Sequence, residues 1–229
     1  MARSNDTTAG NYMTATIPST PAYPMTIAGW LNPSAFSDWF FLTVFNNSNP
    51  TRHHRLRVNA TGSFSAFTRD GTANPQTTPI GPMTVGAYAF FAYVCVSSTE
   101  RYCFLDATKS ATSTTSSTPD LNLDSIYIGR ETGISALMNG AIGEVGLWTI
   151  ALSDADIAQL QANTLCPALV KKTSLLGYWK LLGTDSPEPD SIGSANATIT
   201  GTMPQATHPS PIYYESLSIA ATDAVKAEG

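Results

Sequence analysis

Three histidines, three cysteines and a thin scatter of carboxylates are what the chain offers for reaction chemistry. His53 and His54 lie in the basic run Arg52-His53-His54-Arg55-Leu56-Arg57, and His208 sits beside Pro209 in a proline-rich stretch. A nucleophilic triad needs a histidine held between a serine and an acid, and these placements propose none. No cysteine and histidine stand at a zinc-ligand spacing, and no glycine-rich phosphate loop is present. Glu144 is alone in its apolar run, while Asp154 and Asp156 fit the start of a helix. The sequence therefore predicts a protein that is not an enzyme.

The elements that would position these residues are short and mostly extended. Runs rich in β-branched and aromatic residues recur between polar turns. They cover 12–17, 25–31, 39–45, 56–59, 63–68, 88–96, 101–105, 121–129, 141–150, 175–182 and 197–199. The run Trp39 to Phe45 is nearly all apolar, as in a strand buried on both faces. Leu121 to Gly129 alternates with one slip at Ser125, the mark of a bulge. Residues 107–119 are dominated by Ser and Thr and read as a surface loop or a frayed edge strand. Arg55 and Arg57 alternate with Leu56, so the basic run reads as one solvated strand face.

The runs on either side of Ser97-Ser98-Thr99-Glu100 form a hairpin whose register is open. A four-residue loop sets Cys95 opposite Tyr102; a five-residue loop sets it opposite Cys103, the one arrangement compatible with a cross-strand disulfide. One helix is expected. Ser153 and Asp156 form an acidic capping box, Leu152 and Ile157 a hydrophobic staple, and the helix should run through Leu160 and stop near Asn163. Ten to thirteen short strands with one short helix predict an all-β, two-sheet antiparallel β-sandwich.

Charged residues make up 13% of the 229, about half the usual share, and turn-forming polar residues take their place. With a net charge of −5, neither nucleic acid nor a membrane is expected as a partner. The first residues lack the apolar core of a signal peptide, which predicts a product made in a cytoplasm.

Three segments together resemble the laminin-G-like domain, a concanavalin-A-like jelly roll. They are Met25-Thr26-Ile27-Ala28-Gly29-Trp30-Leu31-Asn32-Pro33, Arg101-Tyr102-Cys103-Phe104-Leu105-Asp106, and Ile126-Tyr127-Ile128-Gly129 followed by 138–148 and the run Ala151 to Ile157. The last block is the most specific, and Leu176-Gly177-Tyr178-Trp179-Lys180-Leu181 resembles the strand that often follows it. The chain departs from the pattern at Ala107, where Gly is usual, and at Gly143, where Asp is frequent. The resemblance implies residues 1–202 as the sandwich and 203–229 as a C-terminal arm.

The resemblance also implies what such a domain could bind. Calcium is the one cofactor it allows, at the sandwich rim, with Asp106 and Asp124 as ligands; Asp70, Asp106 and Asn139 are the rim residues for a ligand. Glycan binding would use an aromatic platform drawn from Tyr88, Tyr93, Tyr127, Trp39 and Trp148, although most strand aromatics belong to the core. Glycosidases of this fold carry paired carboxylates on one strand face, which these strands lack. The first residues resemble laminin-G-like proteins encoded among bacteriophage virion genes. That implies a capsid decoration protein in a virion, with the major capsid protein or copies of itself as partner. Tyr213 and Tyr214 would then be docking residues of the arm. The alternative is a carbohydrate-binding or adhesion module that meets cell-surface glycan.

Overall fold

The computed structural model describes residues 2–5, 11–119, 122–132, 137–162, 165–183 and 185–209. Within them the chain forms β1 (Ala2–Asn5), β2 (Tyr12–Thr20), β3 (Met25–Pro33), β4 (Trp39–Asn46), β5 (Asn49–Val58), β6 (Phe64–Asp70) and β7 (Ala89–Ser97). There follow β8 (Glu100–Leu105), β9 (Thr108–Lys109), β10 (Leu123–Ile128), β11 (Gly140–Trp148), α1 (Asp154–Gln161), β12 (Leu175–Trp179), β13 (Thr198–Thr200) and β14 (Gln205–Ala206). All named pairings are antiparallel. The strands missed in the sequence are β1 and β14, which carry too few residues to show a period; β9 falls in the stretch read as a loop or a frayed edge strand. Among the described residues no helix is long and apolar enough to cross a membrane.

Two sheets face each other. One runs β14-β1-β11-β3-β7-β8-β9, with β12 also on β11; the other runs β13-β2-β10-β4-β5-β6. Between them lie Trp39, Phe41, Phe64, Phe91 and Trp179, all buried. Phe91 meets Phe41 edge-on at 4.9 Å between ring centroids, a pairing of one sheet with the other. Gly140 lets β11 begin hard against β3. Its φ is +150°, and a Cβ there would stand 2.2 Å from the Asn32 carbonyl oxygen.

The eight-stranded sheet carries a second apolar layer on its outer face. Ala28, Phe90, Val94, Trp148 and Tyr178 meet Leu152, Ile157 and Leu160 of the α1 region, together with Val170. The strand period of two explains why Leu147 and Trp148 are both fully buried: Leu147 faces the other sheet and Trp148 faces α1. The Trp148 indole N–H donates to the Val170 carbonyl at 2.8 Å. The capping box forms as read, with Ser153 Oγ accepting from the Asp156 N–H and Asp156 Oδ2 accepting from the Ser153 N–H. Two 3-10 turns, Pro167–Leu169 and Lys172–Ser174, lead into β12.

One local expectation changes and two hold. The β7–β8 hairpin pairs Ser97 with Glu100 across a two-residue turn, and a bulge then sets Cys95 opposite Arg101 and Cys103 opposite Tyr93. Both thiols are free and buried, in neither of the two anticipated registers, because the bulge shifts the ladder by one residue. The 107–119 stretch is an edge: β9 pairs with β8, and Ser113 bridges Arg101. The slip at Ser125 is a register shift between Leu123 and Ser125 against β2.

Candidate functional site

Among the described residues no helix lies over the outer face of the six-stranded sheet. Strand alternation sends Leu56, Val58, Ala66, Ile126 and Ile128 into the core, so their neighbours point outward. Cross-strand register then lays out two rows. Tyr127 stands opposite Thr43, Thr43 opposite Arg55, and Arg55 opposite Phe67. In the next row Ser125 faces Phe45, Phe45 faces His53, and His53 faces Arg69.

Guanidiniums and rings interleave on this face. The Arg55 guanidinium lies 4.3 Å from the Phe40 centroid and 5.2 Å from Phe67, and Arg57 lies 5.6 Å from Phe67. Arg130, just beyond β10, lies 4.4 Å from Tyr12 and 4.9 Å from Tyr127. Tyr127 is itself stacked on Phe45 at 4.5 Å and meets Tyr12 edge-on at 5.4 Å. Cation–π contacts of this kind fix the plane of each ring and hold the guanidinium without a hydrogen bond. Tyr12, Phe40, Tyr127, Arg57 and Arg69 remain half-buried, so part of this array meets solvent.

Charge on the face is only partly balanced. Glu131 pairs with Arg55, and Asp38 pairs with Arg57 at 2.5 Å. Burial pushes the Arg55 guanidinium below its usual value while the Glu131 carboxylate pulls it back up; it stays charged at any ordinary pH. The Arg69 side chain makes no hydrogen bond or ion pair to a described residue.

The two histidines of the basic run part company. His54 points into the core, where its Nε2–H donates to the Ala22 carbonyl at 2.8 Å and its Nδ1 lies 3.0 Å from the Tyr93 hydroxyl. Burial holds it down to about 3, so it is neutral. His53 points outward yet is 1% exposed. Burial lowers it to about 4, against the pull of the Pro50 carbonyl and with the help of Arg55 and Arg69. Its Nδ1 lies 2.9 Å from that carbonyl, so Nδ1 carries the hydrogen and Nε2 presents a lone pair. Among the described residues that Nε2 has no partner, and neither does the buried Nε of Arg55. The basic run is therefore not a solvated strand face: it supplies one core histidine, one covered histidine and arginines seated on rings.

A family model of the laminin G type, described as the concanavalin A-like lectin/glucanases superfamily, matches residues 6–158. The chain belongs to that superfamily. Among solved structures it is similar to a protein of Bacteroides ovatus ATCC 8483 described as a candidate carbohydrate binding protein. The TM-score is 0.61 at 20% identity, over 90% of this chain and 61% of that one. It is also similar to the native heptameric SAP-like pentraxin of Limulus polyphemus, with a TM-score of 0.58 at 9% identity over 72% of this chain and 81% of that one. Domains LG4-5 of the mouse laminin alpha1 chain give a TM-score of 0.53 at 12% identity, over 67% of this chain and 43% of that one. This chain thus spans about three fifths of the Bacteroides protein's length. No curated protein sequence matches it.

In this lectin-like sandwich the rim residues named from the sequence are spread out and occupied. Asp70 is a turn residue: its Oδ1 accepts from the N–H groups of Thr72 and Ala73, its Oδ2 from Ser117 and Thr118. Burial works to raise its pKa, and these donors outweigh it and lower it. Asp106 takes a left-handed conformation (φ +48°) at the β8–β9 turn and accepts from the Phe90 N–H at 2.8 Å. It also lines a groove of about 260 Å³ between that turn and α1, with Phe104, Lys109 and Asp154. Asp124 accepts from the Asn47 N–H at 2.8 Å and from Ser125. Asn139 is half-buried, and its carbonyl receives the Ser34 N–H. Asp106 and Asp124 belong to opposite sheets, and among the described residues no three His, Cys, Asp or Glu gather closely enough to hold a metal ion. Of the aromatics, Trp39 and Tyr93 are core, Trp148 is under α1, Tyr88 hydrogen-bonds the Thr207 carbonyl, and Tyr127 lies on the open face. Tyr213 and Tyr214 lie outside the described residues.

One cluster escaped sequence reading. Glu144 is not alone: it is 2% exposed, accepts from the Tyr178 hydroxyl and lies 3.1 Å from His208 Nε2. Its left-handed backbone (φ +56°) marks the place where β11 changes partner, from β1 over 140–142 to β12 over 145–148. The residues that meet there come from three distant parts of the chain, and a positive φ at glutamate leaves no trace in composition.

Proposed function

We propose that the protein is a non-catalytic carbohydrate-binding module that reads glycan on the open face of its six-stranded sheet. The observation that carries this is the half-exposed array of Tyr12, Tyr127 and Phe40 set among arginines on a face that no described helix covers. Sugar rings stack their C–H faces on aromatic rings, and neighbouring charged donors fix the hydroxyls. Superfamily membership and the likeness to a candidate carbohydrate binding protein support the reading. A glycosidase would need an acid and a base free to flank one bond. The carboxylates of this face, Glu131 and Asp38, are each held by an arginine, which favours binding over hydrolysis.

The test is a glycan array with the full chain, then calorimetric titration of each hit against wild type and Tyr127→Ala. Loss of about tenfold in affinity, roughly 1.4 kcal/mol, is expected from removing one stacking ring. Unchanged affinity in both Tyr127→Ala and Phe40→Ala would place binding elsewhere and sink this site. Calcium enters as an arm of the same titration.

A second reading, capsid decoration in a virion, is favoured by one observation. The described root of the C-terminal arm is clamped: β14 pairs with β1, Met203 is buried, and His208 docks on Glu144. An arm anchored at its root could carry Tyr213 and Tyr214 to a neighbouring capsid protein or copy. Light scattering on the full chain and on one ending at Pro209 tests this; equal monomer masses in both, with no binding to capsids, would remove it.

A further inference from the structure

We propose that the open face selects acidic sugars, with a ligand carboxylate or sulfate seated by Arg69 and a ligand hydroxyl bridging His53 and Arg55. This rests on the glycan-binding reading and names the ligand class for the same face. Charge is the first argument. Arg55, Arg57, Arg69 and Arg130 share the face with Glu131 and Asp38, and Asp124 is already held at its far end by the Asn47 N–H. Positive charge is thus concentrated here in a chain whose net charge is −5. At physiological salt the distant carboxylates are screened beyond about 8 Å, while a seated anion feels the adjacent guanidiniums. A planar guanidinium matches a carboxylate or sulfate with two parallel N–H groups.

The second argument is independent of charge. A buried polar atom without a partner costs about 1–3 kcal/mol, so such atoms mark where a missing partner belongs. Among the described residues two such atoms sit on this face, two residues apart on one strand: His53 Nε2, a lone-pair acceptor, and Arg55 Nε, a donor. They are complementary in kind. A carboxylate alone would satisfy only the donor, and an ammonium only the acceptor. A hydroxyl donates to one and accepts from the other, and a sugar acid carries hydroxyls beside its anionic group.

The experiment compares ligands that differ in charge alone: a tetragalacturonate against its full methyl ester, by calorimetry with the full-length protein. A sulfated and an unsulfated chondroitin tetrasaccharide form the second pair. The acids are expected to bind at least tenfold tighter than their neutral counterparts, and raising salt should erode that preference. Arg69→Gln, which breaks no side-chain bond to a described residue, should abolish the preference. Preference for the carboxylate pair or the sulfate pair tells which anion is read. Equal affinity for acid and neutral forms, both weakened by Tyr127→Ala, would overturn acidic selection and leave glycan binding standing. Failure of both pairs while the array yields only neutral hits would overturn it as well. No hit of any kind would remove both.

Discussion

The two sheets of the sandwich use their outer faces in opposite ways. The eight-stranded sheet buries Trp148, Tyr178 and Phe90 beneath α1, Leu152 and Val170, which makes that side a second core. The six-stranded sheet leaves Tyr12, Tyr127 and Phe40 half-covered and spaces them with arginines. Both faces are aromatic. What separates them is the partner: apolar side chains from a helix on one, cations and solvent on the other. Aromatic content alone therefore says little about function in a sandwich, whereas the company each ring keeps says a good deal.

That contrast can be broken by substitution. Trp148→Ala should cost about 3–5 kcal/mol, measured by denaturant unfolding, since it removes a large buried ring and leaves the Val170 carbonyl without its donor. A cost near that of Tyr127→Ala would mean the two faces are energetically alike. Acid should strike next. His53 and His54 are held near 4 and 3 in the folded protein against about 6.5 when unfolded. The unfolded chain takes up their protons first, so stability is full above about pH 6.5 and falls as pH drops through the window down to 4 and 3. By pH 5 the loss is about 2 kcal/mol for each histidine. A flat stability between pH 7 and 5, or a His54→Gln variant with the same acid slope as wild type, would contradict the buried neutral state. Tyr127→Ala should come third, with binding reduced about tenfold and stability by only about 1 kcal/mol. Ser153→Ala should be the mildest, about 1 kcal/mol from the lost cap and no change in glycan affinity.

What could be read in advance was what is local or periodic. Ser153 and Asp156 announce a cap because both partners lie within one helical turn. The Trp39 to Phe45 run announces a strand covered on both faces because Thr43 and Phe45, on the outward side, are also apolar or small. His54 was legible too: it shares the core parity of Leu56 and Val58, and carrying that alternation back by two residues would have buried it. The hairpin register was not, since one bulged residue near Cys95 moves every later pairing. Arg130 over Tyr12 and Tyr127, and His208 against Glu144, were invisible because they join distant segments through chain paths that carry no pattern of their own. The site is thus less legible than the fold: rows across a sheet depend on register, and register is a tertiary outcome.

β1 sits between β11 and β14, with Arg3 opposite both Ile142 and Gln205. Translated into the time order of synthesis, this places β1 in a slot whose walls, β11 and β14, are both made long after it. Ala2 to Asn5 must wait, unpaired, until β11 has left the ribosome, and gain their second neighbour only when residues 205 and 206 follow; closing such long loops is an entropic step that only the finished core can reward. The seam at β1 should accordingly be the last part of the sheet to close and the first to exchange its amide hydrogens.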